Sequence, residues 1–457
     1  KIATYRREVE RRIIAEGQEM NMIKLNSMIK ETADNILLSK CKIKRDEEGR
    51  QKPPWFNKDI EREIAHRRIL NKLHRNHERE GKEEAWLKYQ EQKNKVKRLI
   101  SAELNIYERN LAQKIREEKN GREMWKMIKK LKGEKLTERK LRLYDEQGTE
   151  LPEVEYGSEI KTFWSGVYQV HGNKLHEYWN EECRERYKRE LEETERRERN
   201  HGELWLPRVG SDYHNVRVLK LEICLEDVRR VVGGLRVDGA AGVDGLKPVM
   251  YKEIVRSDVG ARAVMGCLMG ILQGDTMPVT WGESRTVMIP KCRVPTVRDL
   301  RPIALTDVSY KVMMKVVKER IEEHIERSGI GREEQAGFTK GREILDNLLV
   351  LQEGVRLSYS KREELVVVSV DFRKAFDSVR REVVIEVLQD LRVPVSVLDM
   401  VSRLYSGDRT KIDLGKEEIV MDINSGIRQG CTASPLIFKL ITYKVIKEVT
   451  SVGVEFG

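Results

Sequence analysis

The stretch Val366-Val-Val-Ser-Val-Asp371 constrains this chain more than any other. Five residues, four of them valine, predict a buried β-strand, because β-branched side chains pack well on a pleated surface covered on both faces. An aspartate closes the run, and Phe372-Arg-Lys-Ala-Phe-Asp377 leads the chain away from it. A carboxylate at the end of a strand, before an open turn, can offer its oxygens to a hard cation. The competing reading of Asp371 is a helix cap. Asp377 is expected in the first turn of the following helix, against its dipole.

The second constraint is Ser425-Gly-Ile-Arg-Gln-Gly-Cys-Thr-Ala-Ser-Pro435. Gly426 and Gly430 let backbone approach a substrate closely, and the Gln429 amide can donate to a sugar or a phosphate. Ser434 and Pro435 read as the N-cap and first residue of a helix, whether or not the segment is functional. A third group is basic: Lys291, Arg298 and Arg301, around Arg301-Pro-Ile303. A guanidinium offers phosphate a planar, two-pronged contact and keeps its charge. A surface ion pair is the alternative for each of the three.

The N-terminal half is different in texture. Residues 1–45 read as amphipathic helix, and Lys52-Pro-Pro-Trp-Phe-Asn57 breaks it, because consecutive prolines exclude helix. Asn57 is placed to cap the next helix. From there to about 118, Val96, Leu99, Ile100, Leu104, Tyr107, Leu111 and Ile115 recur at steps of three and four, one apolar stripe on a basic rod. A further helix is expected around Trp125, Ile128 and Leu131. Residues 181–199 are almost wholly charged, with acids four places before bases, which predicts an exposed helix. From about 221 the pattern turns mixed: a helix face at Leu225–Leu235, the loop Gly239-Ala-Ala-Gly-Val-Asp-Gly245, a strand-like segment at 285–290, then Asp299-Leu-Arg-Pro-Ile-Ala-Leu305, and a long helix from about Ser309 to Arg327.

A chain of 457 residues exceeds one ordinary domain. Its formal charge of +11 favours a polyanionic partner. Six cysteines without Cys-x-x-Cys spacing read as free thiols of a reducing compartment. His74 and His77 read as surface residues rather than zinc ligands. No apolar run approaches the length of a membrane span.

Taken together, the ordered motifs of residues 225–455 resemble the reverse transcriptases of non-LTR, LINE-like retrotransposons. The resemblance implies an α+β, right-hand polymerase fold. It divides the chain into a helical basic region at 1–150, similar to the segment after a LINE endonuclease, a charged connector at 151–220, fingers at 221–365 and a partial palm at 366–457. The implied activity is RNA-templated DNA synthesis by two-metal nucleotidyl transfer from a dNTP to a DNA 3′-hydroxyl. Asp371 and the carbonyl of Phe372 would meet Mg²⁺, two ions being expected in the complete enzyme. Phe376 would exclude a ribose 2′-hydroxyl, and Gln429 and Gly430 would seat the nucleotide. Arg301 and Lys291 would grip the triphosphate.

Glu334-Gln-Ala-Gly-Phe-Thr-Lys-Gly-Arg-Glu343 matches a family segment that shapes the template path, with Arg342 the residue for a template phosphate. The 239–245 loop departs from the family pattern at Gly239 and Val243. The implied partners are an RNA template, a DNA primer or target, and dNTPs, in nucleus and cytoplasm. The chain begins at Lys1 and stops at Gly457, before the expected aromatic-Ala-Asp-Asp. It is therefore expected to be a piece of a longer polypeptide, inactive by itself. The alternative is a truncated, non-catalytic RNA- or DNA-binding remnant.

Overall fold

The computed structural model describes residues 2–36, 56–76, 82–117, 141–201, 216–328, 336–339, 341–414 and 417–450. It divides into two compact units, residues 1–39 with 141–457, and residues 40–140. Residues 1–39 are thus grouped with 141–457, and 40–140 stand by themselves. The expected helix over 1–45 is two helices, α1 (Ile2–Glu16) and α2 (Met22–Ile36), joined by a 3₁₀ turn. Asn21 separates them, its side chain accepting from the Lys24 amide at 3.0 Å in a cap. Tyr5, Val9 and Ile13 of α1, and Met22, Leu25 and Ile29 of α2, are buried in the larger unit's core.

The unit at 40–140 holds α3 (Lys58–Asn76) and α4 (Lys82–Glu117), packed on each other. Asn57 caps α3 as expected, accepting from the Ile60 amide at 2.9 Å. Ile60 and Val96 are buried between the helices. Glu63 accepts from Gln92 at 2.6 Å and pairs with Lys95 at 2.9 Å. The Trp125 segment, His77 and the side chains of Leu111 and Ile115 lie outside the described residues.

The larger unit continues with α5 (Tyr156–Tyr168), α6 (Leu175–Tyr178), α7 (Glu181–His201), α8 (Leu225–Gly233), α9 (Pro248–Ile254) and α10 (Asp258–Leu272). Then come β1 (Glu283–Pro290), β2 (Leu300–Leu305), α11 (Val308–Ser328), α12 (Ile344–Lys361), α13 (Arg381–Asp390) and α14 (Val395–Ser406). Strands β3 (Arg409–Asp413) and β4 (Glu418–Asp422) and helix α15 (Ser434–Thr450) complete it. The sheet order is β2-β1-β3-β4, with β1 antiparallel to β2 and parallel to β3. Strand alternation puts Ser284, Thr286 and Met288 inward and Arg285, Val287 and Ile289 outward. A small core of Ile160, Trp164, Leu300, Ile412, Ile419 and Met421 packs α5 against the sheet. Burying a side chain such as Trp164 contributes about 2–3 kcal/mol.

Helix α7 is not wholly solvated. Tyr187 and Leu191 enter the core, and the Tyr187 hydroxyl donates to the Val393 carbonyl at 2.8 Å. Arg184 binds Asp399 at 3.0 Å. Charge spacing read the outer face and missed this apolar edge.

The predicted buried strand at 366–370 is overturned. The segment has no strand pairing, and Val366, Val367, Val368 and Val370 are 57–82% exposed. An all-apolar strand needs cover on both faces and hydrogen-bonding neighbours. Among the described residues the four strands pair only with one another. Helix α12, just before it, has no buried residue.

Candidate active site

Two turns meet at the base of the sheet. The first follows Asp371 and runs through 373–378, and the second is Ser425–Gly430. The amides of Gly426 and Ile427 donate to the carbonyls of Val379 and Phe376, at 2.7 and 2.8 Å. On the other side the Ala304 amide of β2 donates to the Gln429 carbonyl at 2.7 Å. Gly426 (φ +87°) and Gly430 (φ +124°) take left-handed backbone conformations. A Cβ on Gly426 would lie 2.7 Å from the Asp377 carbonyl oxygen, and one on Gly430 would collide with the Ala304 carbonyl. Both positions therefore require glycine.

Phe376 is half-buried and stacks on Phe438 of α15, with centroids 5.0 Å apart. Phe338, from the 336–339 segment, meets its edge at 6.4 Å, and Phe372 meets Phe438 at 6.2 Å. The aromatic group joins three of the sequence motifs.

Asp377 is not a helix cap, since α13 begins only at Arg381. It is buried beneath the second turn. It lines a small space of about 20 Å³ with Tyr168, Asp408, Gly426 and Gln429, room for one water. Burial pushes its pKa up to about 6, against the pull of Lys374 and Lys291. Lys374 sits 4.1 Å above the Trp164 ring and donates to the Arg298 carbonyl at 2.8 Å. Burial and the neighbouring Lys291 charge lower its pKa.

The expected site residues divide accordingly. Phe376, Gln429 and Gly430 come together, with Arg301 exposed on the strand that binds Gln429. Lys291 is exposed beyond β1, its amide donating to the Asp299 carbonyl at 2.9 Å. Arg298 pairs with Glu146 at 3.2 Å. Asp371 and Phe372 are exposed on the unpaired segment, not at the end of a strand. Arg342 is exposed just before α12.

Ser434 is the first residue of α15, but among the described residues its buried hydroxyl has no hydrogen-bond partner, so the expected side-chain cap is not seen there. Among the described residues no group of three His, Cys, Asp or Glu is placed to hold a metal ion. Asp371 offers one carboxylate, which by itself does not complete a two-metal centre.

A larger cavity of about 660 Å³ is lined by α11, by Phe338, Thr339 and Gly341, and by α15. Glu319, Glu322, Glu323 and Glu326 line it against Arg230 and Lys439. That balance repels a triphosphate, so the cavity is not the nucleotide site.

Sequence reasoning missed Arg428, Asp408 and Arg381, which form a buried cluster under the second turn. Arg428 stood inside a motif already singled out. Asp408 carried no local signal.

Comparison with known proteins adds an independent line. Residues 289–455 match the family model described as reverse transcriptase (RNA-dependent DNA polymerase). The chain is 24% identical over 214 residues to a retrovirus-related Pol polyprotein from type-1 retrotransposable element R2 of Nasonia vitripennis, covering 46% of this chain and 20% of that protein. A similar protein of element R2DM in Drosophila melanogaster is 24% identical over 53% of this chain and 22% of its own length. Transposon TX1 of Xenopus laevis encodes an uncharacterized 149 kDa protein 22% identical over 52% of this chain and 18% of that protein. The chain thus spans about a fifth of the length of these relatives.

Proposed function

We propose that this chain, whose residues 289–455 match the reverse transcriptase family model and whose relatives include proteins of retrotransposable elements, carries the nucleotide-binding part of an RNA-directed DNA polymerase. The reaction is nucleotidyl transfer from a dNTP to a DNA 3′-hydroxyl on an RNA template. One observation carries the reading: the Gln429 turn is knitted to Phe376 on one side and to the Arg301 strand on the other.

In this reading Gln429 and Gly430 seat the nucleotide. Phe376, stacked on Phe438, excludes a 2′-hydroxyl by shape. Arg301 and Lys291 meet the triphosphate, and Arg342 a template phosphate. The family generally uses divalent metal ions. Mg²⁺ is the ion proposed here, with Asp371 and the Phe372 carbonyl as groups that meet it, because carboxylate and carbonyl oxygens suit a hard cation. The charged helices α3 and α4 are proposed to hold nucleic acid through phosphates.

A second reading, a non-catalytic RNA- or DNA-binding protein, is favoured by the exposed position of Asp371 on an unpaired segment. Primer extension on an RNA template, with dNTPs and Mg²⁺, separates the two when run with the full polypeptide that carries this chain. A DNA product that disappears in Asp371→Ala supports the polymerase. No product, or an equal product from Asp371→Ala, sinks it in favour of the binding protein.

A further inference from the structure

Three charged side chains from three chain segments are buried together below the Gly426–Gly430 turn. Arg381 opens α13, Asp408 precedes β3, and Arg428 belongs to the turn itself. Their side chains are 0–2% exposed. Arg428 donates through Nε and Nη2 to one Asp408 oxygen, at 3.0 and 2.8 Å, and through Nη1 to the Trp281 carbonyl at 2.6 Å. Arg381 donates to the other Asp408 oxygen at 2.8 Å, to the Tyr405 carbonyl at 2.5 Å and to the Gly426 carbonyl at 3.4 Å. Arg428 lies 5.2 Å from the Tyr310 ring centroid and Arg381 4.8 Å from that of Tyr405. Both guanidinium groups are thus held at every nitrogen and against a ring.

Such a cluster is a poor way to gain stability. Desolvating buried charges offsets most of their attraction, and apolar residues of similar volume often do as well. What buried ions supply is orientation, because a forked guanidinium on a carboxylate accepts few geometries. Here the oriented object is the turn. Arg428 is the residue before Gln429, and Arg381 reaches the carbonyl of Gly426 at the turn's other end. The Gln429 side-chain amide makes no hydrogen bond to the described residues, and Gln429 is half-buried beside the exposed Gly430.

We infer that Asp408 is a positioning residue: by clamping Arg428 and Arg381 it sets the pose of the Gly426–Gly430 turn, and through Gln429 the affinity for the incoming nucleotide. The inference rests on the reading of that turn as the nucleotide seat.

Asp408→Asn would leave two buried guanidinium groups without a counter-charge and is expected to unfold the protein, so Arg428→Lys is the working variant. It keeps the charge and loses the fork. The first measurement is amide hydrogen exchange on the chain itself. Arg428→Lys is expected to speed exchange at Ile427 and Ala304 tenfold or more, leaving the β1–β3 ladder unchanged. The second is primer-extension kinetics of the full polypeptide. KM for dNTP should rise tenfold or more with kcat within threefold, and a Gln429→Ala background should remove that rise.

A uniform rise in exchange across the sheet, with kcat falling at constant KM, would make the cluster merely structural and overturn the inference. So would a KM effect that adds to that of Gln429→Ala. If the wild-type polypeptide makes no product at all, the polymerase reading fails. Exchange localised to Ile427 and Ala304 would still uphold Asp408 as the clamp of the turn.

Discussion

The amide of Ile427 donates to the carbonyl of Phe376 across 2.8 Å. Through this bond the turn carrying Gln429 and the turn carrying the proposed sugar gate are held as one body. Each bond in such a pair of turns is worth only about 1 kcal/mol net. Close backbone contact does the rest, since Gly426 rests directly on Asp377.

Gly426→Ala should therefore be costly. A Cβ there meets the Asp377 carbonyl oxygen at 2.7 Å, and φ is +87°. The loss should be about 2 kcal/mol or more, from the clash and the left-handed backbone together. Urea unfolding would read it as a lower midpoint at constant slope. Full wild-type stability would mean that the two turns are not in contact.

Phe376→Val should relax sugar discrimination. In the proposed reading the ring, stacked on Phe438, stands in the way of a 2′-hydroxyl, and steric exclusion of this kind is worth about 1–3 kcal/mol. The ratio of kcat/KM for dNTP over rNTP should fall tenfold or more in the full polypeptide. An unchanged ratio would take the gate away from Phe376.

Asp377 makes stability fall with rising pH. Its folded pKa is pushed up to about 6 by burial, from an ordinary value of 3.8. Between those values the folded state binds more protons than the unfolded one, so stability is lost as pH rises through the window. Asp377→Asn should stabilise the protein by on the order of 2–3 kcal/mol at pH 7, the gain vanishing near pH 4. Thermal melts at the two pH values check this, and an equal gain at both would mean the effect is not protonation.

Asp244 behaves alike. Burial first, and then the Asp307 carboxylate, push its pKa up to about 7. The Asp244 amide donates to Asp307 at 3.2 Å, while its own Oδ2 is buried with no hydrogen-bond partner among the described residues. Asp244→Asn should raise the unfolding midpoint above pH 7 and leave it nearly unchanged at pH 4. A Tm that does not move at pH 8 would show that the pair carries no shared proton.

Lys93 and Lys97 lie exposed on α4, four residues apart. RNA affinity should fall as salt rises, with a slope of about −0.7 in log–log terms for each phosphate neutralised. Lys93→Glu with Lys97→Glu should weaken binding and flatten that slope. Affinity that ignores salt would rule out phosphate contact as the binding force.

The elements legible in the sequence were those whose neighbours along the chain decide them. Strand β1 and helix α11 follow from the local residue pattern, and Asn57 caps α3 as its side chain allows. Gly426 and Gly430 were readable because a left-handed backbone selects glycine whatever surrounds it. The 366–370 segment failed for the opposite reason: valine content states a preference for a covered strand, and cover comes from elsewhere in the fold. Ser434 likewise has the composition of a cap without its bond.

The sequence by itself determined the family motifs and their order, and it named the residues proposed to touch a nucleotide. Tertiary structure alone decided what supports them. Arg381, Asp408 and Arg428 are distant in sequence and meet only in the folded chain, where low solvent access makes charge pairing obligatory. The same packing turned Asp377 from an expected cap into a buried acid with a raised pKa. Local spacing specifies backbone shape, but burial, and the electrostatics that burial creates, exist only once distant segments exclude water together.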